Sequence, residues 1–212
     1  MSPAASGITA PLSPKGLQTR SALAEAGRKL FAERGFHATT VLEITALAGK
    51  SPAAFYRYFD DKQDLLAALA ENFVEDVLIP YGQQIRLPES PHDTGAFDFM
   101  VARYWDVFKP ETGILSAVAQ LAPTERRFAH TLAQVRQFSI AVVVATVERA
   151  QEHGYAEEMN PHDVALAIAA LFEQFTTDVL HPNLAHWEPH ISDEDAIVTL
   201  ATIWKKTLYG FY

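Results

Sequence analysis

The chain has 212 residues, 49% of them apolar and 20% charged, with a net charge of −9 and no cysteine. That length suits one domain, or two small ones sharing a core, and buries enough surface to need no covalent staple. The missing cysteines exclude a disulfide framework, a thiolate zinc site, an iron–sulfur cluster and a cysteine nucleophile, and they fit a reducing compartment.

In chain order, residues 1–12 are rich in Ala, Ser and Pro, lack periodicity, and read as a flexible tail. Met1 to Ser13 has neither Lys nor Arg and no continuous apolar stretch, so a signal peptide is not expected. No apolar run approaches the ~20 residues of a membrane span. The expectation is a soluble, cytoplasmic protein.

Pro14 to Arg34 turns helical. Leu23, Ala26, Leu30 and Phe31 share one face, and Gly35 supplies a left-handed C-cap. Thr40 with Glu43 is a capping box, so a second helix starts near Val41. Its apolar face is Val41, Ile44, Leu47 and Ala48, and it stops at Gly49. Ser51-Pro52 restarts a third helix over about Pro52 to Phe59, with Ser as N-cap and Pro at the first helical position. Asp60 and Asp61 cap a fourth helix from Lys62 toward Ile79, ahead of Pro80. Beyond the Pro88–Pro91 loop, helices are expected over Thr94–Phe108, Pro110–Leu121, Thr124–His153, Asn160–Leu180 and Ser192–Tyr209. No segment alternates with a period of two, and the fold class is all-α with about nine helices.

Charge is unevenly spread. Ser13 to Lys62 carries a net +3 and the rest of the chain −12. The asymmetry fits a small basic module that meets a polyanion, on a larger acidic body. On charge alone, chance surface variation explains it as well. The pair of short helices joined through Ala48-Gly49-Lys50 is a helix-turn-helix candidate. Phe55 and Phe59, four apart, pin the second of them. Tyr56, Arg57 and Tyr58 lie between and suit phosphate and base-edge contacts. Ser51, Pro52, Ala53 and Ala54 are small enough for close approach to a groove, and Lys62 opens the next helix where a phosphate can sit. An ordinary bundle turn with aromatic packing remains the alternative.

The run Ala26-x3-Leu30-Phe31-Ala32-Glu33-Arg34-Gly35-Phe36-x-Ala38-Thr39-Thr40-Val41-x2-Ile44, followed by Phe55-Tyr56-Arg57-Tyr58-Phe59-x2-Lys62-x2-Leu65-Leu66, closely resembles the N-terminal domain of the TetR family of transcriptional regulators. The resemblance covers about a quarter of the chain. It implies an all-α homodimer that binds palindromic double-stranded DNA. It also implies a C-terminal domain that binds a small molecule and so controls DNA affinity. It divides the chain into the tail (1–12), a DNA-binding domain (13–62) and a ligand-binding and dimerisation domain (63–212). It places Thr40 at the N-cap beside the DNA backbone, Ser51 to Ala54 with Arg57 and Tyr58 in the major groove, and Tyr56 and Lys62 on phosphates. Pro52, Ala53 and Ala54 stand where polar residues are frequent, and Leu42 where a base-reading Arg can occur. Arg57 therefore carries unusual weight, with shape or thymine-methyl contacts supplying the rest.

In the C-terminal body, Phe97, Tyr104 and Phe108 fall on one face of the fifth helix. Leu132, Val135, Ser139 and Val142 form a stripe on the seventh. The eighth offers Ala165, Ala169, Phe172 and Thr176, and the ninth Leu200, Trp204 and Leu208. Core packing explains each singly; together they fit an aromatic-rimmed lipophilic pocket. Ile203 to Gly210 and Phe172-Glu173-Gln174 resemble one member of the same family that holds its ligand in a long apolar tunnel. That likeness puts Phe97, Tyr104, Phe108, Ala169, Phe172 and Trp204 on the tunnel, with Glu173, Gln174 and Thr176 as candidate polar anchors. The eighth and ninth helices also serve the dimer contact that the family implies, and pocket face and dimer face stay unseparated.

No catalytic or cofactor motif is present, so neither an enzyme nor a cofactor is expected. His181, His186 and His190 with Asp193 sit in a Pro-rich loop, read as exposed histidines rather than a metal site. The expected function is a repressor released from its operator by a lipophilic effector. A constitutive DNA-binding protein is the rival reading.

Overall fold

A computed structural model describes residues 13–90, 92–180 and 191–210. Those residues form helices and no strand. The chain divides into two compact units, Met1–Leu65 and Leu66–Tyr212.

The first unit is built on α1 (Pro14–Arg34). Ser13 accepts the Gly16 N–H at 3.2 Å and Pro14 presets the first turn. Leu23, Ala26, Leu30 and Phe31 are buried, as their spacing requires. Each large apolar side chain removed from water contributes roughly 1.5–3 kcal/mol. Gly27 lets α1 lie close to Leu65, since a Cβ there would stand 2.6 Å from Leu65 Cδ2. The helix ends at Gly35, φ +80°, whose N–H returns to the Phe31 carbonyl at 3.0 Å. α2 spans Val41–Leu47 behind the expected capping box.

The buried face of α2 differs from the expected one. Ile44 and Thr45 are buried, whereas Leu47 is 48% exposed. A two-turn helix rotates its face freely, and Thr45 tolerates burial because its hydroxyl donates to the Leu42 carbonyl at 3.0 Å. α3 is also shorter than expected, Pro52–Phe55. Tyr58 and Phe59 both return their N–H to the Phe55 carbonyl, at 2.9 and 3.1 Å. The helix thus gives way to tight turns that bring Phe59 down beside Phe55, ring centroids 5.5 Å apart, both buried.

The division between the units falls inside α4 (Lys62–Asn72). Helical turns then run past Ile79: a π-helical stretch, Phe73–Leu78, leads into α5 (Ile79–Gly82). Proline in a helix lacks an N–H and collides with the carbonyl four residues back. The wider π turn, with the Ile79 N–H on the Val74 carbonyl, opens the ladder just ahead of Pro80 and lets the chain stay helical.

The second unit continues with α6 (Thr94–Phe108), a 3-10 turn at Lys109–Glu111, α7 (Thr112–Leu121), α8 (Arg126–Gln151), α9 (Pro161–Leu180) and α10 (Asp193–Tyr209). α8 packs along α9, α10 along α6, and α7 along α8. Ser192 caps α10 by accepting the Asp195 N–H at 3.1 Å, and three carboxylates occupy its first turn, where the helix dipole favours them. One core gathers Met100, Val101, Trp105, Val147, Ala165, Ile168 and Leu200. A second gathers Phe73, Leu78, Tyr81, Phe108 and Val135. Among the described residues, α8 alone would pass by length and composition as a membrane span. Its Phe128, Val135, Val143 and Val147 are instead buried within this unit.

His181, His186 and His190 lie outside the described residues, as does the segment 1–12. Among the described residues no group of three His, Asp or Glu side chains is placed to hold a metal.

Candidate DNA interface and ligand cavity

α2 and α3 meet through a turn at Gly49, φ +64°, a conformation that costs a side-chain-bearing residue and not glycine. Thr40 is exposed at the head of α2. Its hydroxyl accepts the Glu43 N–H at 3.2 Å, and the Glu43 carboxylate takes the Thr40 N–H at 2.9 Å. Arg34 reaches the same carboxylate at 2.9 Å. The Thr40 hydroxyl bond above all, then its N–H and the Arg34 charge, hold the Glu43 carboxyl below its ordinary range.

On α3, Ser51, Pro52 and Ala53 are exposed and Ala54 is half-buried. Ser51 caps the helix through the Ala54 N–H at 3.2 Å. Tyr56 is 58% exposed, Arg57 is exposed, and Tyr58 is half-buried beneath the Arg57 guanidinium, 6.0 Å from its ring centroid. Leu42 is 67% exposed. The small residues and the Tyr56-Arg57 pair thus sit together at the solvent edge of α3. Lys62 has a further occupation that its position in the sequence did not reveal. Its ammonium donates to the Phe36 and Thr39 carbonyls, both at 2.6 Å, and lies 4.3 Å from the Phe36 ring centroid. An ammonium has three donors, so one remains for an anion.

The second unit encloses a cavity of about 410 Å³ between α6, α7, α8 and α9, with Trp204 of α10 on its wall. Tyr104, Phe108, Leu132, Val135, Ser139, Val142, Ala169, Phe172, Glu173, Thr176 and Trp204 all line it. Phe97 does not. It is 1% exposed and packs edge-on against Trp204 and Tyr209, at 5.7 and 6.0 Å, behind the wall. The same helical face that brings Tyr104 and Phe108 to the cavity turns Phe97, two turns earlier, toward α10.

Inside the cavity, Tyr104 stacks on Phe108 at 4.4 Å and meets Phe172 edge-on at 5.2 Å. The Tyr104 and Thr176 hydroxyls are 3.0 Å apart. Burial of the hydroxyl end, first of all, raises the Tyr104 pKa, so it stays a neutral donor. Burial likewise pushes Tyr81 up to about 12. Trp204 donates its indole N–H to the hydroxyl of Thr146 at 3.2 Å, a buried residue that does not line the cavity. Glu173 holds Arg136 with two bonds: Nε donates to Oε2 at 3.0 Å and Nη2 to Oε1 at 2.8 Å. Gln174 donates to Asp178 at 2.7 Å. Tyr81, Met100, Ser116, Gln120, Arg136 and Phe138 also line the cavity and were missed in the sequence. Arg136 and Gln120 read as solvent-facing, and nothing local marks Tyr81, which arrives beyond Pro80.

Residues 23–69 match the family described as bacterial regulatory proteins, tetR family. The HTH-type transcriptional regulator EthR of Mycolicibacterium smegmatis is 22% identical over 198 residues, covering 93% of this chain and 89% of that protein. Two solved structures share the fold. One is a transcriptional regulator from Saccharomonospora viridis in complex with choline, TM-score 0.72 at 16% identity, covering 91% of this chain and 98% of the other. The other is the fatty acid degradation regulator FadR from Bacillus halodurans, TM-score 0.66 at 15% identity, covering 92% and 97%. The helix-turn-helix of the first unit thus carries the match to the tetR family, and this chain is a DNA-binding transcriptional regulator of TetR type.

Proposed function

We propose that the chain is a repressor whose homodimer holds a palindromic operator and lets go when a lipophilic effector fills the cavity of the second unit. One observation carries the effector half: a cavity of about 410 Å³, within the range of small-molecule sites and walled mainly by aromatic and aliphatic side chains, in a unit otherwise packed around two cores. A constitutive DNA-binding protein has no use for such a space. The complex of the Saccharomonospora viridis regulator with choline supports small-molecule binding by this fold.

For DNA, Arg57 reads a base edge, Tyr56 and Lys62 hold phosphates, and Ser51 to Ala54 and Tyr58 fit the groove, with Thr40 at the backbone. One short α3 reads too few base pairs alone, which favours a dimer with half-sites ~34–36 Å apart. Leu166 and Leu171 on α9, with Val198 and Ile203 on α10, remain 37–54% exposed and supply apolar surface for a second copy. The proposed domain boundaries are 13–62 and 63–212, with α4 joining them and transmitting the effector signal. A coupling of 1–3 kcal/mol weakens operator binding ~5–150-fold.

Selection from a random duplex library, then gel shift with stabilising compounds from a thermal-shift screen, tests this reading. A two-fold symmetric consensus released by such compounds is expected. A monomer without operator affinity at low salt rules out the DNA half. Stabilising compounds that never alter operator affinity rule out the switch.

A further inference from the structure

Arg136 and Glu173 are the two charged side chains among the residues that line the cavity. They join α8 to α9, and both stay partly exposed, 53% and 43%. The inner wall is different: Met100, Ile168, Phe172 and Trp204 are buried. The space therefore grades from a dry apolar end to a wet end that carries one ion pair. Such a gradient matches an amphiphile, with an apolar body inward and a polar head at the pair.

The geometry of the pair decides the sign of that head. Glu173 occupies the Nε and one Nη2 donor of the guanidinium. Nη1 carries no hydrogen bond among the described residues, so the Nη1–Nη2 edge keeps a planar fork of two parallel N–H donors, with a third N–H on the far side of Nη1. Glu173 fixes the orientation of that fork in advance, so little rotamer entropy is lost when an anion docks. A cationic head would be repelled by the guanidinium, and the Glu173 charge that could attract it is already compensated by Arg136. A neutral head gains neither charge nor a bidentate bond.

Resting on the lipophilic-effector reading, we propose that the cavity takes an anionic amphiphile, such as an alkyl carboxylate, whose head group docks on the Nη1–Nη2 edge of Arg136 while Glu173 holds the arginine in place.

The test uses the full chain and three probes of equal length: decanoate, decanol and decyltrimethylammonium, all kept below micelle formation and titrated by calorimetry. Decanoate is expected to bind about ten- to a hundredfold more tightly than the other two, the range of a charge-assisted bidentate contact. Arg136→Gln is expected to bring decanoate down to the level of decanol while decanol binding stays unchanged, which also shows that the variant is folded. Equal affinity for decanoate and decanol in the wild type, a preference for the ammonium, or a decanoate preference that survives Arg136→Gln overturns the head-group assignment and leaves the lipophilic effector standing. Failure of all three probes to bind overturns both.

Discussion

Lys62 and Phe36 meet twice: the ammonium donates to the Phe36 carbonyl at 2.6 Å and stands 4.3 Å from the centroid of the same residue's ring. With the Thr39 carbonyl, also at 2.6 Å, this ties the start of α4 to the turn between α1 and α2. Burial pulls the Lys62 pKa down and the nearby Glu43 carboxylate opposes that, so the ammonium works in a partly dry setting. Lys62→Ala removes the donor from two carbonyls and is expected to destabilise the free protein by about 1–3 kcal/mol. It is also expected to weaken all duplexes alike, lowering the salt slope by roughly one. Chemical denaturation without DNA checks the first part. An unchanged midpoint means that Lys62 serves DNA alone.

Arg57 has the opposite profile. It is exposed, with only the Tyr58 ring beneath it. Arg57→Ala is expected to leave the denaturation midpoint unchanged, cost ~1–3 kcal/mol on the operator, and relax sequence preference. Binding isotherms on operator and on random duplex separate the outcomes. Equal losses on both assign Arg57 to a phosphate.

Phe97 and Ala169 should part ways. Phe97 is core, so Phe97→Ala is expected to lower stability by ~3–5 kcal/mol. Ala169 borders empty space. Ala169→Phe is expected to fill part of the cavity, abolish effector binding and leave operator affinity intact. Thermal unfolding together with a thermal-shift screen reads both.

Glu43 gives the first unit a pH dependence. Its folded pKa is depressed, chiefly by the Thr40 hydroxyl. The capping box therefore stabilises fully above the ordinary carboxyl value of 4.5 and is lost as pH falls through the lower, folded value. Thr40→Val and Glu43→Gln are expected to lower stability at pH 7 and to flatten its decline below about pH 4.5. Urea midpoints between pH 3 and pH 7 check this. A Glu43→Gln curve parallel to the wild type would remove the capping box from the acid response.

Local chemistry made the helix starts legible in the sequence. Thr40 with Glu43 and Ser51-Pro52 each satisfy orphan N–H groups from within a few residues and cap the helices as expected, while Ser13 and Ser192 cap helices whose starts alone were expected. The cavity wall followed from three- and four-residue stripes, which the folded helices turn inward together. What escaped was set by distant partners. Phe97 shares its stripe with Tyr104 but lies opposite Trp204, which only the docking of α10 determines. Arg136 reads as a surface charge until α9 brings Glu173 across from it. Pro80 signals a stop, and only the wide turn before it explains why the helix goes on.

That wide turn also works as a phase shifter. Each residue of an α-helix advances the side-chain direction by ~100°, and a π turn absorbs residues that a regular ladder would have to rotate past. The bearing of Tyr81, set against the Phe138 ring at 5.7 Å and facing the cavity, thus depends on how many residues lie between Phe73 and Leu78. Removing one of the exposed pair Glu75 and Asp76 would shorten the segment by a single step and swing every later side chain of that rod by about a quarter turn. An insertion or deletion at this spot, with no contact to any ligand, would redraw one wall of the cavity in a single event.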